Sequence, residues 1–178
     1  ILRARKVFEA MAAEIADRPI ESLPRAFAAV ATDLASGNEV WLRHGSLYDA
    51  LRASVALPGL VSPAKVDGHW LVDGGLVNPV PVSVCRALGA DTVIAVDLNT
   101  TLVGRRLRSA EAGQDVPPSI LDVVANSINI MQIRVTRSRM AGDPPELLVT
   151  PRLPDFGLFD FDRADEALEE GRRAVTQA

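Results

Sequence analysis

The sequence predicts an α/β layer fold, and three observations lead there. Val93 to Val96 is a short continuous run rich in β-branched residues, the mark of a strand buried on both faces of a parallel sheet. Asp67-Gly68 stands between two strand-like runs, a strong two-residue hairpin signal. Leu121, Val124, Ile128, Met131 and Val135 recur at three- and four-residue steps, which gives a helix one buried face. Strands and helices mixed in this way stack as helices on a sheet.

In chain order, Leu2 to Ala16 reads as an amphipathic helix. Val7, Met11 and Ile15 fall at four-residue spacing with Phe8 and Ala12 alongside, and Asp17-Arg18-Pro19 stops it. Ala26 to Thr32 is apolar and strand-like, although its alanines leave a helix open. Ser36-Gly37-Asn38 is a turn signal and Glu39 to Leu42 alternates, which predicts a β-hairpin. Ser46 opens a helix with a pattern like a capping box, Asp49 standing for the usual Glu. Leu47, Leu51 and Val55 are its expected buried stripe, and Leu57-Pro58-Gly59 ends it.

Ala64-Lys65-Val66 and His69 to Val72 form the arms of the second hairpin. Alternation puts His69 and Leu71 on one face and Trp70 and Val72 on the other. Pro81 to Leu88 is a short helix closed by Gly89, with Cys85 expected in the core. Leu102 to Pro118 lacks periodicity and reads as a loop. Ser119 then caps the long helix to about Ala141, which Gly142-Asp143-Pro144-Pro145 breaks. Leu147 to Thr150 is another short buried strand, and Phe156 to Phe161 an aromatic-rich loop. Arg163 to Thr176 is a closing helix with Ala164, Ala167, Leu168, Gly171 and Val175 inward.

Composition narrows the function classes. The 178 residues are 48% hydrophobic, enough for a packed core in one domain. A net charge of -4 argues against nucleic acid, which wants a basic surface. Cys85 is the single cysteine, and His44 and His69 have no metal-ligand spacing, so neither a disulfide framework nor a metal or organic cofactor is expected. No apolar run approaches the roughly 20 residues that span a bilayer. A cytoplasmic or peripheral-membrane location is the resulting expectation, and oligomeric state is not legible.

The chain is organised around Ala53 to Pro81, centred on Asp73-Gly74-Gly75. An apolar run, Trp70-Leu71-Val72, ends abruptly in a carboxylate. Two glycines follow, which permit positive φ and close approach of another group. A carboxylate at a strand end beside glycines is how a fold presents a base to a cleft. Alone, Asp-Gly-Gly is ordinary turn chemistry.

Its surroundings change that reading. Arg52-Ala53-Ser54, Leu57-Pro58-Gly59, Asp67-Gly68, Leu76-Val77-Asn78-Pro79 and Pro81 share its window. Ala31-Thr32-Asp33-Leu34, Ala87-Leu88-Gly89-Ala90-Asp91, Val93-Ile94-Ala95-Val96-Asp97 and Arg137 to Pro145 extend the series over most of the chain. In this order they resemble the patatin-like phospholipase family, specifically its bacterial branch. The resemblance implies a mainly parallel central sheet flanked by helices. It also implies a Ser–Asp dyad acting on lipid acyl esters, with Asp73 as the base and Gly74 and Gly75 as its motif.

The sequence departs from the family in lacking both the Gly-rich oxyanion loop and the Gly-x-Ser-x-Gly turn. Residues 1–178 are therefore read as the C-terminal portion of a single patatin-like catalytic domain, unable to act alone. The alternative is a non-catalytic lipid- or protein-binding module of the same fold without the nucleophile.

Other polar residues fit structural roles better. Ser54 lies on a helix without the glycine elbow that exposes a nucleophile. His44 and His69 read as surface or supporting groups, since a triad depends on convergent geometry. Asp33 and Asp97 read as turn or loop caps. No glycine-rich phosphate loop follows Val93 to Asp97, so a nucleotide site there is a weak reading. Arg105, Arg106, Arg108, Arg134, Arg137 and Arg139 are an ordinary solvated charged face or a contact for anionic lipid headgroups at a peripheral membrane surface.

Overall fold

Short turns set the sense of two of the three pairings in the larger sheet. In the computed structural model, which describes residues 12–13, 15, 17–99, 120–153, 156 and 160–178, the chain divides into two compact units meeting at Leu88 and Gly89. The first unit holds strands β1 (Ala29–Asp33), β2 (Glu39–Leu42), β3 (Ala64–Val66) and β4 (His69–Asp73), in the order β2-β1-β4-β3. Every pairing is antiparallel. Five residues join β1 to β2 and two join β3 to β4, too few for the crossover that a parallel neighbour needs. The expected mainly parallel central sheet is therefore corrected. The larger sheet among the described residues is antiparallel, and only two strands of the second unit run parallel.

Register fixes the two faces. Ala31 lies opposite Asp73 and Val40, Asp33 opposite Leu71, and Leu71 opposite Ala64. One face thus carries Ala29, Ala31, Asp33, Val40, Leu42, Ala64, Val66, His69, Leu71 and Asp73. Helix α1 (Leu47–Ser54) packs on it. The core is built from Ala29, Ala31, Leu42, Leu47, Ala50, Ala53, Ala64 and Leu71, with Ile20 from a 3-10 turn (Ile20–Ser22). Small side chains on β1 and α1 let helix and sheet approach closely. Ser46 caps α1 by accepting the Asp49 N–H, as the sequence predicts. Val55 falls at the C-cap and is exposed, so the buried stripe is Leu47, Ala50 and Ala53. The opposite sheet face buries Val30, Thr32 and Val72 but leaves Trp70 54% exposed.

The second hairpin turns at Asp67-Gly68, where φ is 49° and 86°. Both are positive, as a type I′ turn requires. Helix α2 (Val82–Ala87) follows a 3-10 turn (Gly74–Leu76). Pro81 is its N-cap, and Gly89 lies just beyond with φ +94°, the left-handed residue expected there. Cys85 is exposed rather than in the core, because α2 turns Val82 and Val84 inward.

In the second unit, β5 (Ile94–Val96) and β6 (Leu147–Val149) pair in parallel. The chain between them includes α3 (Ile120–Gly142), which supplies the long connection a parallel pair demands. Strand β5 is not buried on both faces: Ala95 is buried while Ile94 and Val96 are exposed. Among the described side chains of α3, Ile128, Gln132, Ile133 and Thr136 are buried, while Val124 and Met131 are exposed. Two polar residues occupy that stripe, and an apolar count cannot find them. Helix α4 (Ala164–Gln177) buries Ala174 and leaves Leu168 and Val175 exposed. Its inward face is better described by Ala167, Glu170, Gly171 and Ala174. Most of the expected N-terminal helix and the whole 102–118 loop lie outside the described residues, although Ala12 and Ala13 are helical.

Candidate active site

Asp73 closes β4 and caps the 3-10 turn that follows, with φ -45° and ψ 129°. Its N–H donates to the Ala56 carbonyl just beyond α1, at 3.1 Å. Its carbonyl accepts the Thr32 hydroxyl from β1 at 2.8 Å. Its side chain turns back so that Oδ1 accepts the Gly75 N–H at 2.6 Å. Oδ2 accepts no hydrogen bond among the described residues. The carboxyl is partly buried, and desolvation raises its pKa above the ordinary aspartate value, opposed by the Gly75 N–H. One oxygen is anchored and one is free, on a group made more basic by its surroundings.

Of the two uses expected of the glycines, close approach holds and positive φ does not. Neither Gly74 nor Gly75 is among the positive-φ residues. Gly74 is required by close approach instead: a Cβ there would overlap the Val30 carbonyl. Gly75 contributes the N–H that holds Asp73. Asn78 then locks the turn. Its N–H donates to the Gly74 carbonyl at 2.9 Å and its Nδ2 to Glu39 Oε1 at 2.8 Å. Asn78 is 3% exposed, and its Oδ1 has no partner among the described residues.

His69 and Asp73 share a face of β4, but His69 stands at its far end. Its Nδ1 lies 2.7 Å from Asp33 Oδ2. Asp33 Oδ1 accepts the Ala35 and Ser36 N–H groups, the turn-capping role expected of it. The Ser36 N–H foremost, then His69, holds its pKa below the ordinary value. A cleft of about 540 Å³ opens beside this pair, walled by Val40, Leu42, Val66 and Leu71. Asp73 does not line it. In the second unit Asp97 Oδ1 accepts the Asn99 N–H, again a loop cap. Arg134, Arg137 and Arg139 are exposed on α3. His44 lines a small cavity of about 140 Å³ with Ile20 and Arg43, away from Asp73. Ser54 is the last residue of α1.

Thr32, Ala56 and Asn78 were not singled out by sequence reasoning. Thr32 and Asn78 lie inside the motifs Ala31-Thr32-Asp33-Leu34 and Leu76-Val77-Asn78-Pro79, and that placement is the one signal they carry. No group of three or more His, Cys, Asp or Glu among the described residues is arranged to hold a metal ion. No described helix is long and apolar enough to cross a membrane.

A strand-end carboxylate, tied to the glycine turn after it and partly desolvated, is the candidate site for a general base. Residues 2–86 match the family model described as patatin-like phospholipase. An uncharacterized NTE family protein of Mycobacterium tuberculosis strain H37Rv is 36% identical, with 90% of this chain and 54% of the relative covered. A second from the same strain is 33% identical, with 89% of this chain and 30% of the relative covered. Patatin-like phospholipase domain-containing protein 7 of Mus musculus is 40% identical over 86 residues, covering 47% of this chain and 6% of the relative. The chain belongs to the patatin-like phospholipase family. It spans about half the length of the first of these relatives.

Proposed function

We propose that this chain supplies the general base of a lipid acyl hydrolase, and that the base is Asp73. The observation that carries the reading is the division of labour in its carboxylate: Oδ1 is tied to Gly75, and Oδ2 has no partner among the described residues. In this reading residues 1–178 are the C-terminal portion of a patatin-like catalytic domain, and a serine outside them is the nucleophile. The serine hydroxyl attacks the ester carbonyl as its proton passes to Asp73 Oδ2. Backbone N–H groups of an oxyanion loop hold the charge that develops on the carbonyl oxygen. Asp73 returns the proton to the departing alcohol. A water then attacks the acyl-serine as Asp73 takes its proton, and collapse of the intermediate breaks the serine–acyl bond, frees the carboxylic acid and returns the proton from Asp73 to the serine oxygen.

A carboxylate of ordinary pKa near 3.9 is a weak base for a hydroxyl, so partial desolvation of Asp73 works in the right direction. The substrate class is lipid or other acyl esters, met by peripheral contact with a membrane surface. No metal or organic cofactor enters the scheme. The test is Asp73→Asn in the full-length polypeptide, assayed with soluble medium-chain p-nitrophenyl esters. Turnover is expected to fall at least about 10²-fold, the lower end for losing a general base. Undiminished turnover would overturn the assignment. A full-length protein inactive on ester, phospholipid and thioester panels would favour the binding-module alternative.

A further inference from the structure

We propose that Thr32 is a positioning residue for Asp73, an inference that rests on reading Asp73 as the base. Strand β4 ends at Asp73, which still lies opposite Ala31 but sends its N–H to Ala56 and its carbonyl to the Thr32 hydroxyl. Three hydrogen bonds then fix the residue: the N–H on Ala56, the carbonyl under the Thr32 hydroxyl, and Oδ1 on the Gly75 N–H. Two of these use main-chain groups of the partner residue. The Thr32 hydroxyl is the one partner supplied by a side chain among the described residues.

Thr32 is 5% exposed and lies opposite Val72 on the sheet face away from α1. From there it reaches past the end of β4 to the Asp73 carbonyl. That bond restrains ψ of Asp73, which together with the torsions of Gly74 sets where the Gly75 N–H meets Oδ1. Releasing the carbonyl loosens the Asp73–Gly74 peptide that leads into the anchoring Gly75 N–H, so Oδ2 loses its fixed direction. A base displaced by about 1 Å can lose up to about 10²-fold in rate. Valine keeps the β-branched shape that suits a strand but removes the hydroxyl. Serine keeps the hydroxyl and removes the methyl.

The experiment is a double-mutant cycle in the full-length polypeptide with a soluble ester. Thr32→Val is expected to lower kcat about tenfold with little change in KM. Thr32→Ser is expected to recover most of that loss. In the Asp73→Asn background Thr32→Val should cost nothing further, because no base remains to be positioned. Wild-type kcat in Thr32→Val overturns the proposal. So does an equal fold-loss in both backgrounds, which marks general weakening of the fold. If Asp73→Asn itself stays active, the reading of Asp73 falls first and takes Thr32 with it. Should Thr32→Val fail to fold, Thr32→Ala compared with Thr32→Ser makes the same test.

Discussion

His69 is held by Asp33 and not by Asp73: its Nδ1 lies 2.7 Å from Asp33 Oδ2. Asp33 is ionised in this setting, and a carboxylate can only accept. The ring hydrogen is therefore on Nδ1. His69 and Asp73 stand at opposite ends of a five-residue strand, about 13 Å apart at roughly 3.3 Å per residue. A triad that joins His69 to Asp73 is incompatible with that separation.

His69→Gln should accordingly keep most ester turnover in the full-length polypeptide. Gln can still donate to Asp33, so the hairpin retains its tie to β1. A deep loss in His69→Gln with Asp73→Asn still active, measured by kcat/KM on a soluble ester, would move the base from Asp73 to the Asp33–His69 pair.

The same pair makes stability depend on acid pH. Asp33 has a folded pKa below its unfolded value, through the Ser36 N–H, then His69 and the Ala35 N–H. A depressed carboxylate adds stability that is fully present above the unfolded value, near 3.9. That stability disappears as pH falls through the lower folded value. Asp33→Asn should be less stable than wild type at neutral pH. The gap in denaturation midpoint should narrow as pH drops below about 4. A gap that stays constant into strong acid would mean that Asp33 acts by shape alone.

Gly74 gives a packing prediction. A Cβ at this position meets the Val30 carbonyl, which is main chain in a buried strand and cannot swing aside. Gly74→Ala should cost about 2–3 kcal/mol, the upper range for overpacking, or prevent folding. Gly171→Ala is the control: a Cβ there meets nothing within 4 Å. In the interior of α4 that change should stabilise by up to about 1 kcal/mol. Urea denaturation of both variants decides, and a Gly74→Ala protein with wild-type stability would refute the close approach.

What the sequence disclosed was local. Asp67-Gly68 demanded a tight hairpin because both φ values are positive, and Ser46 announced the start of α1 through a cap three residues long. Asp73 was conspicuous because a carboxylate interrupts an apolar run. What the sequence hid is long-range. Thr32 and Asp73 are 41 positions apart, and Asp33 and His69 are 36 apart. Both contacts exist only once β1 and β4 pair in a particular register. The sense of the larger sheet was misjudged because the β-branched run at Val93 belongs to a different, two-stranded pair. The sequence left two uses open for Gly74, because close approach and positive φ look identical in a one-letter sequence, and the structure selects close approach.

Asp73 joins the stability and activity arguments with opposite signs. Desolvation raises its folded pKa, with the Gly75 N–H pulling the other way. For a raised carboxylate, folding favours the protonated form. The stability it contributes is lost as pH rises through the raised value, and at neutral pH the charged group is a net cost. Asp73→Asn removes that charge and keeps the side-chain oxygen that accepts from Gly75. Its thermal midpoint at neutral pH should therefore equal or exceed that of wild type, with the difference fading in acid below about 3.9. Turnover should move the other way, since the amide cannot take the serine proton. The acid limb of wild-type kcat/KM should also titrate above 3.9, because the free enzyme must present Asp73 ionised. A residue that lowers stability and raises activity has a functional site's signature. If Asp73→Asn is instead markedly less stable at neutral pH and equally active, its carboxylate serves the glycine turn and the catalytic reading is wrong.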